Sequence, residues 1–235
     1  TMLIHWVAVA GMLTGIQPEK DENTPKVVFP HPLITEILAV VPKDGGDANM
    51  DGTRDSSGDE FVELMSPHDE EIELTGYTLS DRNAGGQGAV EFAFPEFTLE
   101  PGEIVVVFNG HGMSRSADVG TPTAAPKEKH AKLGTWVFSM EITSEFAGFS
   151  NKGDWVLLAS PSGKPVHVVS WGSFKEELPR DEEIVAETQV EGGQGSLCRY
   201  MFGGPMVGHT ALNGRLMSPG KHPIESIYAE DDSGR

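Results

Sequence analysis

A single cysteine, Cys198, stands in 235 residues, so no disulfide can form within the chain. The residue reads as a small core side chain. Cations are scarce too: 17 Lys and Arg face 36 Asp and Glu, a formal net charge of -19. That balance excludes nucleic acid as a partner, because a phosphate-binding face needs clustered Lys and Arg, and it favours metal ions or basic partners. The apolar run 2–14 falls short of the roughly 20 residues of a membrane span. The eight histidines, at 5, 31, 68, 111, 130, 167, 209 and 222, show no H-x-H or H-E-x-x-H spacing, so a zinc hydrolase lacks its ligand set. There is no G-x-S-x-G elbow, and Gly192-Gly193-Gln194-Gly195 lacks the Lys-Ser/Thr of a phosphate-cradling loop. Helical periodicity is scarce.

What is present is punctuation. Gly 28 and Pro 16 interrupt the chain every few residues, as in a sandwich of short strands joined by turns. Residues 33–41 form a nearly continuous apolar strand interrupted by Glu36, and a second strand opens near Glu60. Residues 71–74 and 76–81 follow, then 87–97 with Val90, Phe92 and Phe94 on one face. Residues 104–108 are the most apolar strand, expected to be central. The clearest hairpin joins 155–159 to 166–171 through Ser162-Gly163-Lys164. All of this predicts an all-β chain.

The most informative stretch is 47–63. Asp47, Asn49, Asp51, Thr53 and Asp55 place oxygen donors at every second position, with Gly52 sixth. Calcium takes 6–8 oxygens, and a glycine at the sixth position permits the sharp turn that presents them inward. The loop departs from an EF-hand at its twelfth position, Gly58, where a bidentate Glu is expected; Asp59 and Glu60 come one and two residues later and lead into a strand. The expected ligands of a Ca2+ ion are therefore Asp47, Asn49, Asp51, Thr53 through its carbonyl, Asp55, Asp59 and Glu60. Glu36 either joins them or faces solvent beside the loop, since a buried carboxylate is costly unless paired or metal-bound. Glu60 and Glu63, a possible acid–base pair, point to opposite faces of a strand.

The ends read differently. Residues 1–15 resemble a signal-peptide leader, with Ala8-Val9-Ala10 as a cleavage site, and 16–32 form a Pro-rich linker. Residues 110–133 carry His111, His130 and Lys127, Lys129 and Lys132 without periodicity, and are expected as a mobile surface insertion. Residues 225–235 are an acidic tail.

Six motifs in order carry a resemblance: Ile34-Thr35-Glu36-Ile37, Asp59-Glu60-Phe61-Val62-Glu63-Leu64, Leu74-Thr75-Gly76-Tyr77-Thr78-Leu79-Ser80-Asp81, Leu99-Glu100-Pro101-Gly102-Glu103, Ser150-Asn151-Lys152-Gly153-Asp154 and Gln194-Gly195-Ser196-Leu197-Cys198-Arg199. Together with the closing Ser218-Pro219-Gly220 they are similar to the lamin tail domain in its secreted prokaryotic form. The resemblance spans about 33–221 within an expected domain at 33–224. It implies an immunoglobulin-like β-sandwich, a non-catalytic module for interaction or surface attachment, secreted or on the cell surface. The expected partner is a protein, a glycan or a cell-envelope polymer. The alternative is a metal-dependent extracellular hydrolase combining the acidic loop with a His of the 110–133 insertion.

Overall fold

The computed structural model describes residues 27–83, 85–86, 88–179, 185–188, 195–199 and 204–221. Its strands are β1 (Leu33–Leu38), β2 (Phe61–Met65), β3 (Ile72–Glu73), β4 (Thr78–Ser80), β5 (Glu91–Ala93), β6 (Thr98–Leu99), β7 (Ile104–Phe108), β8 (Trp136–Ser139), β9 (Gly153–Ala159), β10 (Pro165–Gly172), β11 (Val185–Thr188), β12 (Leu197–Arg199) and β13 (Met206–Gly208). A short helix, α1 (His209–Asn213), follows. One sheet has the order β13-β12-β1-β2-β7-β8 and the other β11-β10-β9-β4-β5, while β3 and β6 form a two-stranded ribbon.

The two large sheets share one core. Val62, Leu64, Val105, Val107 and Phe138 from the first meet Leu79, Phe92, Val156, Leu158, Val169 and Trp171 from the second. Phe138 lies at its centre, with Phe92, Phe94 and Phe97 at centroid distances of 5.6, 5.4 and 5.1 Å, all edge-on. That geometry suits aromatic quadrupoles. Val90, Phe92 and Phe94 share the buried face the alternation predicts, and the 155–171 hairpin forms as β9 and β10.

The six-stranded sheet is buried on its other face as well. There Phe61, Met65, Ile104, Val106, Phe108 and Val137 pack with Val41, Ala48, Val119 and Leu133, flanked by Met113 and Met217. The 110–133 segment, expected to be a mobile surface insertion, is therefore a cover over an apolar sheet face. The physical reason lies in β7, Ile-Val-Val-Val-Phe, all five residues buried: a strand apolar on both sides needs a layer on each. Backbone hydrogen bonds pin the cover, from Gly120 N–H to Val137 O (2.8 Å) and from Ser139 N–H to Gly120 O (2.9 Å). Lys129 adds a 2.7 Å ion pair to Glu103, which also accepts the Trp136 indole N–H at 2.9 Å.

Within the charged stretch 175–191, β11 pairs in parallel with β10. Of the predicted linker, the described end lies against the sandwich: His31 Nδ1 is 2.6 Å from the Tyr77 hydroxyl, and His68 Nε2 is 2.8 Å from the His31 carbonyl. The predicted leader at 1–15, the linker up to residue 26 and the tail at 225–235 lie outside the described residues.

Candidate metal loop and the buried carboxylates

The acidic loop folds through its own side chains. Asp47 Oδ2 accepts the Gly52 N–H at 3.0 Å, Asn49 Oδ1 the Asp51 N–H at 2.9 Å, and Asp51 Oδ1 the Thr53 N–H at 2.7 Å. Asp and Asn bonding to the backbone two residues on is the intrinsic turn-forming tendency of these side chains. Gly52 sits at φ 98, the turn predicted for the sixth position. Asp47 Oδ1 is buried with no hydrogen-bond partner.

The other four candidate ligands have their oxygens engaged elsewhere. Asp55 Oδ1 accepts the Ser57 and Gly58 N–H groups at 2.9 and 2.8 Å, and Oδ2 lies 2.9 Å from His111 Nδ1. Burial raises its pKa, but those N–H groups and His111 together outweigh it and hold it below the usual carboxylate value. Asp59, fully buried, accepts from Ala48, Asn49 and Asp55 N–H at 2.7, 3.0 and 2.7 Å and so staples the loop to the start of β2. Glu60 accepts the Phe149 N–H at 2.9 Å. Glu36, 1% exposed, does not face solvent: it accepts the Ser196 hydroxyl (2.5 Å), the Ser218 N–H (2.9 Å) and the Ser218 hydroxyl (3.0 Å). Gly58 explains the missing twelfth ligand, because a Cβ there would lie 2.1 Å from the His111 carbonyl oxygen. The insertion crosses where a Glu side chain would start.

Three of the six motifs meet electrostatically. Burial raises the pKa of Glu60 well above its ordinary value, and Asp154 and Asp81 raise it further. Burial and then Asp154 lift Asp81 to about 6. Asp154, wholly buried, accepts N–H groups from Ser150 (2.8 Å), Trp155 (2.9 Å) and Arg82 (3.3 Å). The Gln194 to Arg199 motif acts at the other end of its own strand. Arg199, fully buried on β12, donates to Ile34 O (2.7 Å) and Gly204 O (2.6 Å), and its Nη2 lies 3.0 Å from His167 Nε2 on β10. Burial first, and then the guanidinium, hold His167 neutral.

The motifs thus supply buried polar contacts at separate points of the sandwich, and the Lamin Tail Domain family model matches residues 34–173, more than half of the chain. The chain belongs to the lamin tail domain family. Lamin tail domains are a non-enzymatic, immunoglobulin-like family, and the immunoglobulin-like fold agrees with the two packed sheets. No curated protein matches the chain. In this lamin tail domain β12, β13 and 214–221 lie beyond the matched span, yet β12 pairs directly with β1.

One Ser–His contact resembles catalytic machinery. His209 Nε2 is 2.7 Å from the Ser218 hydroxyl, which in turn donates to Glu36 Oε2. In a nucleophilic triad the carboxylate orients the far nitrogen of the imidazole; here it takes the serine proton itself, and His209 Nδ1 is buried without a hydrogen-bond partner. The contact latches the 209–220 segment onto β1. Glu60 and Glu63 likewise do not cooperate, since Glu63 binds the Thr35 hydroxyl (2.6 Å) and the Gly220 N–H (2.8 Å) while Glu60 faces Phe149. Among the described residues no group of three or more His, Cys, Asp or Glu is arranged to hold a metal ion, and no helix is long and apolar enough to cross a membrane. Sequence reasoning missed Ser218, Ser196 and Thr35 as the partners of buried carboxylates. Thr35, a hydroxyl within the mainly apolar run 33–38, was the one available signal; Ser196 and Ser218 lie in polar or turn-forming motifs.

Proposed function

We propose that this lamin tail domain is a non-catalytic interaction module, secreted or held at the cell surface, whose 47–55 loop takes up calcium. The observation that carries the calcium reading is Asp47 Oδ1, a buried carboxylate oxygen without a donor on a loop already curled around its sixth-position glycine. Asp47, Asn49 and Asp51, with the Thr53 carbonyl, are the residues that would hold the ion. Asp55, Asp59, Glu60 and Glu36 serve the fold's own hydrogen bonds instead. Calcium prefers such a mixture of carboxylate, amide and carbonyl oxygens and tolerates water in its shell, so a site without three convergent carboxylates suits a weak extracellular affinity. The non-catalytic reading rests on family membership and on the inverted order of the Glu36–Ser218–His209 chain.

A thermal melt of the full chain with calcium titrated against a chelator tests the site, with an Asp47→Ala/Asp51→Ala variant beside it. At calcium ten times its dissociation constant the native state gains about 1.4 kcal/mol by mass action. A rise in melting temperature absent from the variant supports the reading; equal melts with calcium and chelator reduce the loop to a turn.

A further inference from the structure

The six-stranded sheet has its β8 edge closed by the cover, through the Gly120 N–H to Val137 and the Ser139 N–H to Gly120. The five-stranded sheet ends at β5, which pairs only with β4 among the described residues. Asp81 donates its N–H to Val90 O at 3.0 Å and Phe94 its N–H to Tyr77 O at 2.9 Å, with Phe92 opposite Leu79 between them. In an antiparallel pair alternate residues turn both N–H and C=O toward the neighbouring strand. Val90, Phe92 and Phe94 therefore face β4, and the N–H and C=O of Glu91 and Ala93 point away from the sheet, where no described residue meets them. Both residues are exposed. An open row of this kind is a template for one more strand. Pro95, which lacks an N–H, ends the row and keeps it short.

Charge selects what can be added. Glu91 and Glu96 are exposed and take part in no ion pair among the described residues. A second copy of the chain would set two acidic edges side by side, and facing like charges destabilise a sheet. A strand carrying Lys or Arg on the outer face, where the Glu91 side chain lies, meets that carboxylate instead. Its alternate residues turn to the face that Val90, Phe92 and Phe94 share, which is the buried core side and suits apolar side chains. The excess of 36 acidic over 17 basic residues steers the same class of partner toward the chain.

We propose that the free edge of β5 docks an extended basic segment of a partner protein, added as an outer strand in which Lys or Arg alternates with apolar residues. The inference deepens the module reading by naming its partner chemistry, and it rests on the interaction part of that reading, not on calcium. The test is amide hydrogen exchange of the full chain by NMR, with the peptide acetyl-Lys-Val-Lys-Val-Lys-Val-Lys-amide added to about 2 mM, a range that covers submillimolar affinities. The Glu91 and Ala93 amides should exchange freely in the chain alone and slow about tenfold or more with the peptide, because each gains a hydrogen bond. The scrambled peptide acetyl-Lys-Lys-Lys-Lys-Val-Val-Val-amide, with the same charge and no alternation, should leave both rates unchanged. Ala93→Pro removes an outward N–H without touching the ladder to β4 and should abolish the protection at Glu91. Glu91→Lys, a surface change that keeps the melting temperature, should weaken the peptide about tenfold by reversing the facing charge. Asp47→Ala/Asp51→Ala should leave the protection intact. Amides already protected in the chain alone, no slowing with the alternating peptide, equal slowing by the scrambled one, or protection unaltered in both edge variants overturns the site. Each of these strikes the edge alone, since a module can dock through another face. Protection accompanied by cleavage of the peptide would keep the edge and overturn the non-catalytic reading.

Discussion

Glu36 and Glu63 stand directly opposite each other on β1 and β2, both fully buried. Burial raises both pKa values; Glu36 raises that of Glu63 further, while His209 and the serine donors pull that of Glu36 back. A carboxylate whose pKa rises on folding holds its proton more tightly in the native state. Its contribution is complete below the unfolded value of about 4.5 and is lost as pH climbs through the higher folded value. Each pH unit in that window removes up to about 1.4 kcal/mol per raised carboxylate. Glu63→Gln keeps the shape without the charge. Urea denaturation from pH 5 to pH 8 should therefore show the variant gaining on the parent as pH rises; a constant difference would refute the shared burial of charge.

Asp81 extends the same logic to the Glu60 and Asp154 group. With its pKa lifted to about 6 from 3.8, its contribution is whole below pH 3.8 and fades as pH passes 6. Its Oδ2 is buried without a hydrogen-bond partner. Asp81→Asn retains an acceptor for the Asn83 N–H, which Asp81 Oδ1 binds at 2.9 Å. The variant is expected to match the parent near pH 4 and to exceed its stability by about 1 kcal/mol or more above pH 7. A carboxyl NMR titration placing Asp81 near 4 would contradict this.

Gly58 was legible as an interruption of the calcium pattern, but not as a contact. Its reason is the His111 carbonyl, which comes from a segment 53 residues further along the chain, and no local pattern encodes such a crossing. Strands β1 to β5, β7, β9 and β10 were legible because alternation and apolar runs are local; β6, β8, β12 and β13 were not read as strands, and neither was β11, whose pairing to β10 is parallel and distant. The loop's curl could be read from Asp, Asn and Gly spacing. The fates of Asp59 and Glu36 could not, since most of their donors come from residues that only the fold brings near; Asp55 takes the local Ser57 and Gly58 N–H groups, and its unreadable partner is His111. Gly58→Ala should cost about 1–3 kcal/mol through overpacking against that carbonyl, read by thermal melt. Gly85→Ala, whose added Cβ meets nothing within 4 Å, is the control: it pays for its positive φ alone.

The insertion's role as a cover is equally testable. Leu133 is 8% exposed and joins the outer-face cluster with Phe108 and Val106. Leu133→Ala is expected to cost about 2–5 kcal/mol, the range for a buried leucine. A loss under 0.5 kcal/mol, ordinary for a surface substitution, would return 110–133 to the status of a free loop.

Ser218 decides whether the C-terminal latch is structural. Its hydroxyl donates to Glu36 and lies against His209, so Ser218→Ala leaves a buried carboxylate oxygen and an imidazole N–H without that partner. An unsatisfied buried group costs about 1–3 kcal/mol, more when charged, so the variant should unfold at lower denaturant. Raising pH should widen the gap, because the deprotonated Glu36 needs the donor most. A catalytic serine would behave in the opposite way, since its loss abolishes turnover and often relieves strain. A variant as stable as the parent that had lost an esterase or phosphatase activity would therefore overturn the latch and the non-catalytic reading together.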